Sequence, residues 1–449
     1  MKGKFLLFTF FTINLFQIRA FAQMDNETGS SELDLFDMSI EQLLDIEVYD
    51  EQFKLYGFIN SNVEKVMRIP ESDSEGNTIT STEPISWSPV QNFHIYGSGN
   101  ITSKISVFFN LARTDRDGLE VRNAYGNFKI AELFQVRAGK MYRKFGLYNE
   151  KLDQIPTFIG IEPPELFDND HLFLERTTNF MVHGTHHFLN DKISYALSTD
   201  NGENGPNKGI IPLGWDLRYQ SDRQGLIIGT SGYSSSINGK GTTSTVNLGE
   251  GSPDGGILPW MEHDNFTVYG AFIEKQYRQL ILQSAYWVAN HQGVRDPSSV
   301  LTLVKFAGIN SRQRETFLGT NASKPNVILS ENDVVTTANY SVQTFYVRLG
   351  YSLQTEIGQF IPYVFMDWMS SPEVIQNKNY GGDNEAGLSD DGQFYKSSVG
   401  VVYRPVKSVA IKLDGSTHTQ KFNGATITYP EVRLDFSFSF DVLSSLYKK

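Results

Sequence analysis

The chain has 449 residues, a formal net charge of −12 and no cysteine, which excludes a disulfide-stapled secreted domain and any thiolate metal or nucleophile chemistry. Aromatic residues make up 13%, with 32 Phe and 21 Tyr, yet the mean hydropathy is −0.30. That combination suits paired apolar and polar faces bordered by aromatic girdles.

The chain opens with "MKGKFLLFTFFTINLFQIRAFAQ", read as a signal peptide over residues 1–22. Lys2 and Lys4 precede an apolar run from Phe5 to Phe16, and Ala20-Phe21-Ala22 has the small-residue spacing of a cleavage site. The uncharged run is short for a membrane-spanning helix, and Thr and Asn interrupt it. No later segment reaches the ~18–20 predominantly apolar residues of a helical span, so any membrane crossing falls to strands.

Without Lys2, Lys4 and Arg19 the formal charge becomes −15, of which residues 24–51 carry −10 with no Lys or Arg. Residues 23–51 are thus an acidic periplasmic segment ahead of a nearly balanced body, and nucleic acid is not an expected partner of either. Within the segment, Ser39 and Gln42 have capping-box spacing, and Ile40, Leu43 and Leu44 form one apolar side of a short helix. A solvated acidic linker is the other reading.

From Phe53 onward, period-two segments recur at 53–66, 92–101, 105–114, 119–130, 134–145, 177–188, 192–201, 213–222, 225–235, 265–277, 280–291, 339–354, 358–369, 393–405, 409–422 and 427–440. They predict sixteen strands. Their connections alternate short and long: "TSK", "AEL", "LND", "DRQ", "YRQL", "TEIG" and "PVKS" on one side, 67–91, 146–176, 202–212, 236–264, 292–338 and 370–392 on the other, with two brief links, "DRDG" and "NGAT", falling in the long series. That rule, an even strand number and both ends of residues 52–449 on the short-turn side are expected of an all-β, transmembrane up-and-down antiparallel barrel in the cell outer membrane. A soluble sandwich has no such rule. About 25 residues per strand with its loop suits sixteen strands and leaves no room for a plug-bearing barrel of 22.

Sidedness follows from parity. In the last strand Val432, Leu434, Phe436, Phe438 and Phe440 oppose Arg433, Asp435, Ser437 and Ser439, so the phenylalanines are expected to face lipid. Residues 265–277 and 280–291 are apolar on both parities, which suits either a protomer contact or plain lipid wall.

The stretch "VRNAYGNFKIAELFQVRAGKMYRKFGLYNE" resembles the strand-turn-strand and first loop residues of Gram-negative porins of the phosphate-selective type, where an arginine-bearing strand runs into a "GxxxxxFGL" turn. The likeness is sharp over 119–150, diffuse over the rest of the barrel and absent from the N-terminal segment. It implies a water-filled channel for passive diffusion of small hydrophilic solutes, with anions such as phosphate among the candidates, and assembly as a homotrimer. It also implies that the loop near 146–176 folds inward as a constriction. Barrels that this chain resembles end their last strand on an aromatic residue read by the barrel assembly machinery; the resemblance implies that role for Phe440, with a soluble nine-residue tail behind it.

The acids of that loop are Glu150, Asp153, Glu162, Glu165, Asp168, Asp170 and Glu175. Facing them, Arg122, Arg137, Lys140, Arg143, Lys144, Arg218, Arg348, Arg404, Lys412 and Arg433 are candidate pore-lining, solute-binding cations, since guanidinium forks match carboxylate and phosphate oxygens. Acids and bases on opposite walls would orient passing solutes. The competing reading pairs each cation with a lumen acid such as Asp216, Asp367, Asp414 or Asp435. A cluster at His183, His186 and His187 is split by alternation, and "DNDH" at 168–171 lacks the glycine and distal Glu of a calcium loop, so no metal or cofactor is expected. The alternatives are a channel specific for sugars or dicarboxylates, and a barrel enzyme or adhesin; no catalytic residue is assigned.

Overall fold

The computed structural model describes residues 53–72, 78–114, 118–151, 154–164, 177–200, 211–238, 258, 260–306, 309, 311–322, 329–373, 392–422 and 425–441. The predicted signal peptide, the predicted acidic segment and the tail after Asp441 lie outside them.

The strands are β1 (Phe53–Ser72), β2 (Thr78–Thr82), β3 (Ser86–Thr102), β4 (Ile105–Thr114), β5 (Gly118–Ala131), β6 (Phe134–Tyr142), β7 (Thr177–Phe188), β8 (Asp191–Thr199) and β9 (Leu213–Ser221). They continue as β10 (Leu226–Asn238), β11 (Met261–Tyr277), β12 (Leu280–Arg295), β13 (Thr337–Tyr351), β14 (Leu353–Thr355), β15 (Gly358–Ser370), β16 (Gln393–Arg404), β17 (Val409–Phe422) and β18 (Ala425–Asp441). β2 pairs with the outer end of β1 alone, and β14 prolongs β13 along β15 after a break at Ser352. Sixteen staves remain, each antiparallel to its sequence neighbour, and β1 closes the barrel on β18 from Tyr56↔Asp441 to Val66↔Glu431. Every one of the sixteen predicted strands is present.

The cause is the alternation itself. On β13 Ala338, Val342, Thr344, Tyr346, Arg348 and Gly350 are buried inside the barrel, while Phe345, Leu349 and Tyr351 are exposed outside. Even-numbered residues of β16 and β17 likewise point inward, among them Lys396, Lys412 and Asp414. Phe438 and Val432 stand outside at 48% and 43% exposure, with Asp435 and Ser437 sealed inside. An apolar exterior and a polar interior are the inverse of a soluble fold and the signature of a membrane-spanning barrel.

One predicted boundary needs correction. The sixth staff ends at Tyr142 and not at 145, because Gly139 (φ +125) sits at a bulge in the pairing of β6 with β7 and the chain then turns inward. The two-sided apolar pattern of β11 and β12, read as either a protomer contact or plain lipid wall, has a further origin on its inner side. Its inner residues Phe266, Val268, Phe272, Ala285, Trp287 and Ala289 form the floor of an apolar cluster that also holds Phe145, Leu147, Tyr148, Phe158 and Ile159 of the loop after β6.

The connection after β12 holds two helices that strand periodicity did not announce, α1 (Pro297–Phe306) and α2 (Ser311–Ala322). Asp296 starts α1, its Oδ2 accepting from Ser299 N at 2.9 Å and from both Ser298 and Ser299 hydroxyls, with Pro297 at the first helical position. Val300, Leu303 and Val304 bury one face in the same apolar cluster. Arg295 clamps the segment, donating to Val335 O and Thr337 O and pairing with Glu373 at 2.5 Å.

Candidate functional site: the constriction loop and its anchors

The loop begins with a buried ion pair. Arg143, sealed from solvent, pairs with Asp200 and lays its guanidinium 3.7 Å over the Tyr233 ring. Asn149 Nδ2 donates to Arg143 O at 2.7 Å, folding residues 143–149 back on themselves. At the bend, Gly146 N donates to Ser231 Oγ, which donates in turn to Asp216. Phe145 stacks on Trp287 with centroids 4.3 Å apart, docking the bend into the apolar floor. Arg218 then bridges Asp216 (2.6 Å) and Glu150 (2.8 Å), joining loop to wall.

The second half is held by cations gripping its backbone. Arg404 Nη2 donates to Pro156 O at 3.0 Å, Lys412 Nζ to Gly160 O at 2.9 Å, and Arg348 Nη2 to Glu162 O at 2.9 Å. A loop threaded through a barrel has no neighbouring strand to satisfy its carbonyls, and charged donors from the wall satisfy them instead, at about 1.5–3 kcal/mol each. Gly160 turns its carbonyl toward Lys412 with φ +103, a conformation that glycine supplies without strain. Aromatic rings steady the cations: Arg348 lies 4.1 Å over Phe365, and Lys412 Nζ 5.8 Å over Phe158.

Tyr148 links the two halves. Its hydroxyl donates to Gln283 Oε1 and accepts from Arg348 Nη1, while its ring meets Phe158 and Tyr346 edge-on. Burial pushes the phenol above its ordinary range against the opposing pull of Arg348, so it stays protonated and able to donate.

The Glu162 carboxylate enters a network at the closing seam. It pairs with Lys396 and Arg433. Arg433 also meets Glu64 at 3.2 Å and Glu431, and Glu431 lies 3.3 Å from Lys396 and 2.9 Å from His418 Nε2. One loop carboxylate thereby reaches ion pairs on β1, β16 and β18.

The predicted cations divide into groups. Arg348, Arg404, Lys412 and Arg433 converge on loop residues 156–162, while Arg143 and Arg218 hold residues 143–150. Arg122 and Lys140 stand apart, 3.1 Å and 3.6 Å from Glu120. Arg137 lies 4.7 Å over Tyr125 on the other wall, and Lys144 is buried. Of the loop acids, Glu150 and Glu162 touch cations directly where a gap between acidic loop and basic wall was expected. Asp153, Glu165, Asp168, Asp170 and Glu175 lie outside the described residues. His183 is a lumen side chain bonded to Asn127 at 2.8 Å, and His186 and His187 sit near the short-turn end.

Lys396, Glu431 and Glu64 were missed. The alternation that turns Arg404 inward does the same for Lys396 eight residues earlier, so that cation was available to the same reasoning.

Neither a protein-family model nor a curated protein matches the chain. Among solved structures, the anion-selective porin from Comamonas acidovorans is similar at 10% identity and a TM-score of 0.50, over 86% of this chain and 99% of that one. The outer membrane channel DcaP of Acinetobacter baumannii matches at 10% identity and TM-score 0.48, and OmpF of Salmonella typhi, in complex with daunomycin, at 12% and 0.46, each over 86% of this chain and 97% of the other. At such identity the likeness to the Comamonas porin shows the fold alone, a closed porin-type barrel.

Proposed function

We propose that the chain is an outer-membrane porin, a conduit for passive diffusion of small hydrophilic solutes. The observation that carries this reading is the inward fold of residues 143–164, fastened to the lumen wall by Arg218, Arg348, Lys396, Arg404, Lys412 and Arg433. A barrel serving only as a scaffold has no use for a loop held at six points across its bore.

The chemistry of the wall argues for weak ionic preference. Arg348, Arg404 and Lys412 bond to loop carbonyls, and Asp367, Asp414 and Asp435 share the same inner surface. Selection then rests on size and polarity, with phosphate one small anion among several admitted solutes. Swelling of liposomes loaded with the protein tests this: uncharged sugars and small anions of equal size enter at similar rates if the reading holds, and a strong preference for phosphate or for one sugar rejects it.

Assembly as a homotrimer follows from the resemblance over 119–150. Crosslinking in mild detergent checks it, with bands at three times the protomer mass expected and monomer alone counting against it.

A further inference from the structure

The inward loop leaves a cavity against the wall of the barrel. It is partly open, about 60 Å³ in volume, and lies between Leu147, Tyr148, Lys151, Thr157 and Phe158 of the loop and Gln283 of β12. Room for one water takes ~10–15 Å³ of such space, so the cavity admits about four to six heavy atoms.

Neighbours fix what each polar group of the lining can offer. Arg348 Nη1 donates to the Tyr148 hydroxyl, which gives its own proton to Gln283 Oε1. The Gln283 amide is thereby oriented with its nitrogen toward Glu274, where Nε2 donates to Oε2 at 2.6 Å and keeps a second N–H. The Thr157 hydroxyl is committed to Gln154 O at 2.7 Å. Lys151 differs from all of these. It is half-buried on the turn Asn149–Lys151, and among the described residues its ammonium has neither a carboxylate within ion-pair distance nor a hydrogen-bond acceptor. The wall cations that reach the loop, from Arg218 to Arg433, are by contrast engaged by its carbonyls and carboxylates.

We propose that this cavity is a binding site for small monocarboxylates, with Lys151 Nζ and the spare Gln283 N–H each taking one carboxylate oxygen and Leu147 and Phe158 flanking a short hydrocarbon body. The inference rests on the porin reading and names one class among its solutes. Two donors answer the two oxygens of a carboxylate, and an ionised acceptor makes each bond about twice as strong as a neutral one. Leu147 and Phe158 belong to the buried apolar cluster and suit a solute end without polar atoms. Glu274 limits the charge. Its carboxylate stands behind the Gln283 amide with no cation paired to it among the described residues, so a second negative charge on the solute meets repulsion that Lys151 offsets for only one. A partly open cavity with two donors holds such a solute at roughly millimolar affinity, weakly enough to release it to the bore.

Saturation-transfer NMR with propionate, on the full chain folded in detergent micelles, reads the site directly. Transfer to propionate should exceed transfer to propionamide, its uncharged counterpart of the same size, by roughly threefold or more. Lys151→Gln should remove that excess, and Lys151→Arg should retain it. Phosphate dianion, matched in ionic strength by sodium chloride, should displace no more propionate than the chloride does. Equal transfer to propionate and propionamide in the unaltered chain overturns the proposal without recourse to a variant. An excess that survives Lys151→Gln in a heat-modifiable barrel overturns the site built on that ammonium, and displacement by phosphate overturns the limit to one charge. Conductance in planar bilayers separates this inference from the reading beneath it. A chain that binds propionate but gives no conductance steps keeps the site and rejects the porin reading, whereas steps without the propionate excess do the reverse.

Discussion

Lys412 Nζ donates to the carbonyl oxygen of Gly160 at 2.9 Å, joining the inward loop to the strand beside the closing seam. Both groups are buried, so neither finds water if the other is removed. Lys412→Met keeps most of the side-chain volume and deletes the donor. It should cost the loop about 2 kcal/mol of attachment. Limited proteolysis from the extracellular side checks this, with faster cleavage in the loop expected while heat-modifiable migration is unchanged.

The Glu162 network should behave as one unit. Glu162→Gln and Arg433→Met each break the ion pair that ties the loop to the seam. Their effects on the urea midpoint of the folded barrel should be less than additive, with a coupling of about 1–3 kcal/mol. Strict additivity would mean that the two side chains act independently.

A wall glycine supports the loop from a distance. A Cβ at Gly270 would stand 2.2 Å from Tyr286 O and 2.5 Å from the Trp287 ring, and Trp287 carries Phe145. Gly270→Val should push the indole aside at a cost of about 1–3 kcal/mol. A shifted tryptophan emission and a lower thermal midpoint are the expected signs.

The seam gives a test of assembly. Phe440 pairs with Gly57 and stacks on Phe93 at 6.4 Å, facing lipid at the short-turn end. Phe440→Ala should reduce the yield of folded barrel in the outer membrane, whereas deletion of residues 442–449 should leave it normal. Asp441 still pairs with Tyr56, so the cut belongs after it. Loss of the barrel on tail deletion alone would move the signal into the tail.

The staves were legible because lipid outside and water inside write opposite polarities on alternate residues, as in 432–440. That grammar failed in two places. On β11 and β12 the inner neighbour is the constriction loop, not water, so Phe272 and Trp287 match the lipid side in character. In 297–322 strand periodicity was the wrong ruler, although "DPSS" at 296–299 carries an N-cap and a first-turn proline. Of the site, residue types and inward direction were readable. Partners were not: that Arg348, Arg404 and Lys412 hold carbonyls, and that Arg143 finds Asp200 57 residues away, depends on where the loop lies in three dimensions.

Single-channel recording in a planar bilayer, with the reversal potential taken in a salt gradient, tests the central claim most directly. A porin with interleaved lumen charges predicts discrete, stepwise conductance and a reversal potential close to zero. Folded, heat-modifiable protein that inserts without conductance steps would contradict the porin reading. Steps that reverse near the potential of a single ion would contradict the balanced wall.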